Sequence, residues 1–233
     1  MIERIGEFYH RAEVEFRKPD SKWAKLAWRV SSLKGPDYIN SGDKRALDLI
    51  VGIPLAAAAA PTIAVSAGKK FLEDGQFPFY VQGRLIDRDH TQKIIKLRTM
   101  VREADKVTIA PEIKQEDDPR VTKWGKFLRR HHIDEMPQLF QVVKGDLSLV
   151  GPRPMILRTI EHFKKHWSEE RFNKGIRDYE SMKKGVTGLD QVFGNGKRDN
   201  GARYHFQRFY RENASLGLDL YILWRTIEKV IRN

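Results

Sequence analysis

Residues 118–154 read DPRVTKWGKFLRRHHIDEMPQLFQVVKGDLSLVGPRP, and the rest of the chain is organised around this stretch. A basic helix, Trp124 to Arg130, runs into the acidic pair Asp134-Glu135. The spacing predicts a second helix from there, with Asp134 as a good N-cap and Met136, Leu139, Phe140 and Val143 on one apolar face. Gly145 supplies a C-terminal stop, and Leu147 to Val150 reads as a short buried strand. Gly151-Pro152-Arg153-Pro154 follows, with two prolines stiffening the backbone around one arginine. Two carboxylates thus sit at an expected helix start with Lys126, Arg129, Arg130 and Arg153 close in sequence. That is the inventory phosphoryl transfer requires, because fixed cations must neutralise phosphate charge.

A lone Asp-Glu pair is more often an ordinary cap with a dipole-friendly neighbour. The full string decides otherwise. Asp118-Pro119-Arg120-Val121-Thr122, Gly125-Lys126-Phe127-Leu128-Arg129, Asp134-Glu135-Met136-Pro137-Gln138-Leu139, Lys144-Gly145-Asp146-Leu147-Ser148-Leu149-Val150-Gly151 and Pro152-Arg153-Pro154 stand in one order. The run resembles the catalytic core of the bacterial sugar transferases, the monotopic polyprenol-phosphate phosphoglycosyl transferases that initiate glycan assembly. The resemblance covers roughly residues 42 to 231.

The chain has 233 residues, room for one domain with a real core. Lys and Arg number 43 against 31 Asp and Glu, a surplus of 12 that points to anionic partners: nucleic acid, nucleotide or an acidic membrane surface. No cysteine is present, which excludes disulfides and thiolate metal sites. The seven histidines lack metal-ligand spacing, and His131-His132 read as helix-terminal cations. The first residues lack the basic start and apolar core of a cleavable signal, so none is expected.

Residues 1–40 read as a basic amphipathic extension. Ser21 caps a helix with Trp23, Leu26, Ala27, Val30 and Leu33 on one face, and Gly35-Pro36 ends it. Residues 46–67, ALDLIVGIPLAAAAAPTIAVSA, form the apolar run long enough to matter to a membrane. Lys44-Arg45 and Lys69-Lys70 flank it, so the positive-inside tendency places both ends on the cytoplasmic side. The piece before Pro61 would measure only ~22 Å as helix against ~30 Å of hydrocarbon. A helix that breaks at Pro61 and turns back satisfies both facts. The family has a re-entrant helix here, bent at a Ser-Pro pair; this chain has Ala60 in place of the serine and an additional Pro54.

Phe77 to Met100 predicts a β-hairpin around the turn-rich residues 87–90. Residues 155–184 read as helical, anchored by Phe163, Trp167 and Phe172. The C-terminal stretch predicts an amphipathic helix through Leu220, Leu223, Ile227 and Val230. The expected fold is therefore α+β and mostly helical, with a re-entrant membrane helix, amphipathic interfacial helices and a small β-hairpin around the catalytic core. Residues 41–233 would be the transferase domain and 1–40 its extension.

The resemblance implies transfer of a sugar-1-phosphate from a UDP-sugar to a polyprenol phosphate, expected to be undecaprenyl phosphate, with release of UMP. It implies Mg²⁺ as cofactor, membrane lipids as partners, and the inner membrane with its cytoplasmic face as location. Asp134 is the expected nucleophile and Glu135 the Mg²⁺ ligand. Arg153, held between Pro152 and Pro154, should clamp a phosphate bidentately. By resemblance Lys96 and Arg98, within Lys96-Leu97-Arg98-Thr99-Met100, face the phosphates or brace the carboxylates. Arg129 is assigned to the lipid or acceptor phosphate. Gln191 lies in a loop that the family holds near the nucleotide, and Asp219 carries over as a site-supporting carboxylate. Lys184 and Asp190 depart from that loop's proline and alanine, and an unpaired Asp190 would repel an anionic donor. The alternatives are a catalytically altered member of the fold and, lower, a basic nucleic-acid-binding module, which lacks a recognition motif; the reading itself excludes nucleic acid as a partner. The oligomeric state is left open, a homodimer among the options.

Overall fold

The computed structural model describes residues 32–86, 90–101, 104, 118–193 and 200–232. The organising element is α2, Gly42–Asp74, 33 residues capped by the Ser41 side chain at one end and by left-handed Gly75 at the other. At ~1.5 Å per residue it is ~50 Å long. It is the helix among the described residues long and apolar enough to cross a membrane. Its buried residues, Lys44, Leu47, Asp48, Gly52, Ala56, Ala59, Ile63, Ser66 and Lys70, recur on one face at three- and four-residue spacings along its whole length. One face of α2 is therefore seated on the rest of the protein from end to end. The other face leaves Ile50, Ile53, Leu55, Val65 and Leu72 exposed.

Two sequence expectations change here. The chain stays helical through Pro54 and Pro61, so the break expected at Pro61 is instead a pair of missing hydrogen bonds inside one helix. Both prolines lie on the exposed face, where their rings interrupt no packing. The flanking cations are also not free to report orientation. Lys44 donates to the Val150 carbonyl and pairs with Asp219, and the Arg45 guanidinium donates to the Val142 and Val143 carbonyls. Lys70 is 0% exposed, between Glu73 and Asp74. The Lys44-Arg45-x-x-Asp48 pattern works as a clamp: Asp48 accepts from the Ser148 hydroxyl and the Leu149 amide.

That clamp holds β3, Ser148–Val150, every residue of which is buried. β3 pairs in parallel with β4, Gly185–Thr187, a contact 37 residues apart that no local pattern announces (Ser148 opposite Gly185). Gly151 is required where the chain leaves β3, since a Cβ there would collide with the Lys183 carbonyl. The main core gathers around this ladder: Leu47 of α2, Val142 and Leu147, Leu149 and Val150, Phe206 and Phe209, Leu218 and Ile222.

The expected hairpin is present as β1, Phe79–Leu85, antiparallel to β2, Thr91–Leu97, with Tyr80 opposite Lys96 and Arg84 opposite Gln92. Most of its turn, residues 87–89, lies outside the described residues. The basic helix α3 spans Lys123–Arg130, capped by Thr122. α4, Gln138–Lys144, stops at left-handed Gly145, as expected. α5, Leu157–His166, and α6, Glu169–Glu180, share the expected anchors Phe163, Trp167 and Phe172. A five-residue α7, Leu189–Phe193, then precedes α8, Asn200–Asn213, and α9, Leu216–Arg232.

The face of α9 differs from expectation. Leu218, Tyr221 and Ile222 are the buried side, while Trp224, Ile227, Val230 and Ile231 are exposed. Of the expected 220/223/227/230 stripe, Leu220 and Leu223 are partly buried against the core while Ile227 and Val230 face outward, so α9 is apolar on both sides. At the other end, Gly35-Pro36 opens the short helix α1, Gly35–Ile39. Tyr38 of α1 is fully buried and donates to Asp219, so a domain boundary at residue 40 would cut packed structure. The helix expected around Ser21 to Val30 lies outside the described residues.

Candidate active site

The acidic pair does not start an α-helix. Ile133–Glu135 is a single 3₁₀ turn, entered through His132 at φ 55°, and α4 begins only after Pro137. His132 has the only positive φ among the described non-glycine residues, and the reversal closes α3 and swings the acids under the hairpin. His131-His132 thus end α3, with His131 packed on Phe127 at 4.6 Å. The amide N–H groups of Glu135 and Met136 are used within the turn, on the His132 and Ile133 carbonyls. The pair therefore stands in a 3₁₀ turn and not in the first turn of an α-helix, contrary to the sequence expectation.

What surrounds the acids is side-chain charge. Glu135 Oε1 accepts from Lys96 Nζ at 2.5 Å and from Arg153 Nη2 at 2.7 Å. Burial alone would raise the Glu135 carboxyl, but Arg153 and Lys96 outweigh it and hold it at about 2. Asp134 has no cation at contact distance among the described residues. Burial, and then the adjacent Glu135 charge, push it up to about 6 against the pull of Lys96 and Arg129. The neighbours therefore split: Glu135 is a locked anion and Asp134 an unlocked one near its titration point.

Each cation is placed by identifiable packing. Gln141 of α4 accepts from the Ile95 amide and donates to the Lys93 carbonyl, joining the edge of β2 as a third strand would. This sets Lys96 over Glu135. Arg153 follows from β3, which Lys44 and Asp48 hold, and from the Gly185 amide donating to the Pro152 carbonyl. Arg129 donates through Nε to Thr99 Oγ1 at 2.8 Å, and its Nη1 is buried without a partner among the described residues. α3 lies so close to the Thr99 backbone that only Gly125 fits there.

Other expected residues stand elsewhere. Arg98 forks onto Asp74, Nη1 to Oδ2 at 2.7 Å and Nη2 to Oδ1 at 2.6 Å, and so staples the end of α2 to the hairpin instead of bracing the acids. Asp219 is fully buried with Lys44, Tyr38 and Tyr210; it supports the site only through the Lys44 that holds Val150. Gln191 meets the Val186 carbonyl at 3.4 Å, beside the Gly188 turn. Asp190 pairs with Arg203 at 3.4 Å, which answers the repulsion its charge would otherwise exert. Lys184 is buried against the Tyr179 and Met182 carbonyls, closing the end of α6.

A small, open cleft lies beside the Lys96 and Arg153 that hold Glu135, lined by Arg84, Ile94, Lys96, Gln138, Arg153, Pro154, Gly185 and Val186. Sequence reasoning missed Arg84 and gave no part to Gln138 or Gln141. Strand alternation holds the signal for Arg84: the hairpin register puts Tyr80, Gln82 and Arg84 on the same face as Lys96.

Among the described residues no three acids or histidines gather as a metal cage. The donor set is Asp134 together with Glu135, whose Oε2 accepts no hydrogen bond among the described residues because both cations meet Oε1. Mg²⁺ is commonly held by one or two carboxylates with the remainder from water and substrate phosphates, so these residues fit it.

The sequence profile described as bacterial sugar transferase matches residues 39–233. The chain is 34% identical over 203 residues to an uncharacterized sugar transferase of Haemophilus influenzae, covering 81% of this chain and 41% of that protein. It is 33% identical over 202 residues to the undecaprenyl-phosphate galactose phosphotransferase of Salmonella typhimurium, covering 81% and 40%. It is 32% identical over 200 residues to the exopolysaccharide production protein ExoY of Sinorhizobium fredii, covering 80% and 84%. The chain thus spans about two fifths of the first two relatives and most of the third. With the match running from α1 to the C-terminal helix, the chain belongs to the bacterial sugar transferase family.

Proposed function

We propose that this chain is a phosphoglycosyl transferase that moves a sugar-1-phosphate from a UDP-sugar to a polyprenol phosphate, undecaprenyl phosphate in the bacterial case. The reaction would open the assembly of a polysaccharide or other glycoconjugate, as the names of its relatives suggest for them. The observation that carries the reading is the split acid pair: Glu135 is bound by Lys96 and Arg153, and Asp134 is left unbound among cations. An ionised, unpaired carboxylate is a competent nucleophile toward phosphorus.

In this scheme Asp134 attacks the phosphorus that bears the sugar. A P–O bond forms to Asp134, the bond to the bridging oxygen breaks, and UMP leaves with that electron pair. A polyprenol phosphate oxygen then attacks the same phosphorus and expels the Asp134 carboxylate, giving the lipid diphosphosugar. Arg153 and Lys96 neutralise the transferring phosphate while Glu135 fixes their positions. Arg129, whose Nη1 has no partner among the described residues, meets the incoming lipid phosphate. Mg²⁺, held by Glu135 with Asp134, would supply further charge neutralisation at the phosphates.

The apolar outer faces of α2 and α9 suit the lipid side. Both ends of α2 are tied to one body, Arg45 to α4 and Asp74 to the Arg98 that follows β2, which favours a helix set into one leaflet over one that crosses the bilayer. Location at the inner membrane, with the cleft toward the cytoplasm, follows from that reading. Both acids are intact, so no observation favours a catalytically altered member.

The test is turnover. Purified protein in lipid nanodiscs, with Mg²⁺ and undecaprenyl phosphate, is assayed against a panel of UDP-sugars. UMP and a lipid diphosphosugar are expected with at least one. Release of UDP instead, or no nucleotide release from any donor, contradicts the reading.

A further inference from the structure

The cleft contains two groups for which the scheme above has no use. Gln138 is 4% exposed and lines it, and its Nε2 is buried with no hydrogen-bond partner among the described residues. A buried amide is ordinarily satisfied, and one left unpaired lowers stability. Gln141, one turn further along α4, shows the ordinary case, with both ends of its amide bonded to β2. The Gln138 amide can turn about its last bond to offer the cleft either its oxygen or its NH₂. Arg84 is the second group. Its Nε and Nη2 both rest on Gln82 Oε1, at 3.0 and 2.6 Å, a neutral acceptor that fixes the guanidinium without cancelling its charge.

The charge count of the cleft points to the occupant. Arg84, Lys96 and Arg153 bring three positive charges, and Glu135 removes one. These cations outnumber Glu135, which suits the negatively charged diphosphate of a nucleotide diphosphosugar, and the neighbouring Asp190 is paired with Arg203. The lipid phosphate has a separate approach. Arg129 projects from α3, whose Leu128 packs against Ala59 and Ile63 of the apolar α2, and α3 also exposes Phe127.

We infer that Gln138 and Arg84 complete a diphosphate subsite with Lys96 and Arg153: Gln138 donates its amide N–H to a phosphate oxygen of the donor, and Arg84 supplies the matching charge. This rests on the reading of the donor as a nucleotide diphosphosugar.

The experiment compares the full chain with Gln138→Leu and Arg84→Gln in nanodiscs. UDP is titrated as a non-reacting probe, KM is measured for the UDP-sugar and for undecaprenyl phosphate, and melting is followed. Each variant should bind UDP about 10- to 100-fold more weakly, the loss of one hydrogen bond or contact to a charged group. KM for the UDP-sugar should rise in step while KM for the lipid stays put. Gln138→Leu should melt no lower than wild type, because it removes an unsatisfied amide, whereas a purely structural glutamine would lower the melting temperature. Unchanged UDP affinity in both variants overturns the inference, as does a loss confined to the lipid KM or a destabilised Gln138→Leu that still binds UDP normally. Wild-type turnover is read in parallel: variants that keep UDP affinity while wild type releases UMP sink this subsite alone. A wild type without turnover sinks the transfer reaction, while a variant-sensitive UDP affinity would still support the subsite.

Discussion

Asp219 and Asp134 are both acids surrounded by cations and donors, yet they are left in opposite states. Asp219 is sealed: Lys44, Tyr38 and Tyr210 all bond to it, and it is 0% exposed. Burial, then the charge of Asp219, pushes the Tyr38 hydroxyl well above its ordinary value, so it stays a donor. Asp134 is half-buried beside Glu135, which has taken both Lys96 and Arg153. The difference teaches what to look for. A complete shell marks an acid that holds the fold together, and an incomplete one, built from residues that are themselves well held, marks an acid kept for a ligand.

The comparison breaks most sharply at Asp134. Asp134→Asn should reduce transfer by about a thousandfold or more, since an amide cannot replace a nucleophilic carboxylate. The fold should not suffer. A carboxyl raised to about 6 in the folded state, against 3.8 for the free group, binds its proton more tightly when folded. Its burden on stability is absent below about pH 4, grows as pH climbs to about 6, and is constant above. At pH 7.5 the asparagine variant should therefore be more stable, by about 1–2 kcal/mol. A variant that is both inactive and clearly destabilised would place Asp134 with the structural acids.

Asp219 should behave in reverse. Lys44→Met strands a buried charge and loosens β3, which should cost about 3–5 kcal/mol in denaturant unfolding. Adding Asp219→Leu should restore much of that loss, because an apolar pair tolerates burial. Full stability of the single Lys44→Met variant would refute the clamp. A smaller effect is expected from Arg153→Lys, which keeps the charge but loses the planar fork. Transfer should fall on the order of tenfold, with little change in stability, in line with one charge-assisted hydrogen bond. The smallest effect is in pH. The first half-reaction should rise with a midpoint near pH 6, and Lys96→Met should move that midpoint upward, since Lys96 opposes the rise in Asp134. A downward move would mean that Lys96 acts only through Glu135.

The sequence made local periodicity and motif order readable. The hairpin, the paired anchors Phe163 and Trp167, the Gly145 stop and the buried strand before Gly151 follow from residues within one or two turns of each other. The acid pair was found by its neighbours in the string. The parts that escaped are those set by long-range contact. Lys44 looked like a membrane flank because its partners, Val150 and Asp219, lie 106 and 175 residues away. Arg98 looked like a phosphate ligand because Asp74, which holds it, sits across the end of α2. The start of α4 was misplaced by three residues, with the N-cap at Pro137 instead of Asp134, since Pro137 and left-handed His132 impose a 3₁₀ turn where capping rules favoured an α-helix. Gln141 shows no signature, as an amide that mimics a strand edge looks like any other helical glutamine.

The central claim is that Asp134, and not the lipid, makes the first attack. Wild-type protein is incubated with Mg²⁺ and a UDP-sugar it turns over, in the absence of polyprenol phosphate, then quenched and analysed by intact mass and peptide mapping. The account predicts release of one UMP per protein and one added sugar-phosphate mass on Asp134, absent in Asp134→Asn and slower but still on Asp134 in Glu135→Gln. UMP release that waits strictly for lipid, with no modified peptide at any time point, would contradict it.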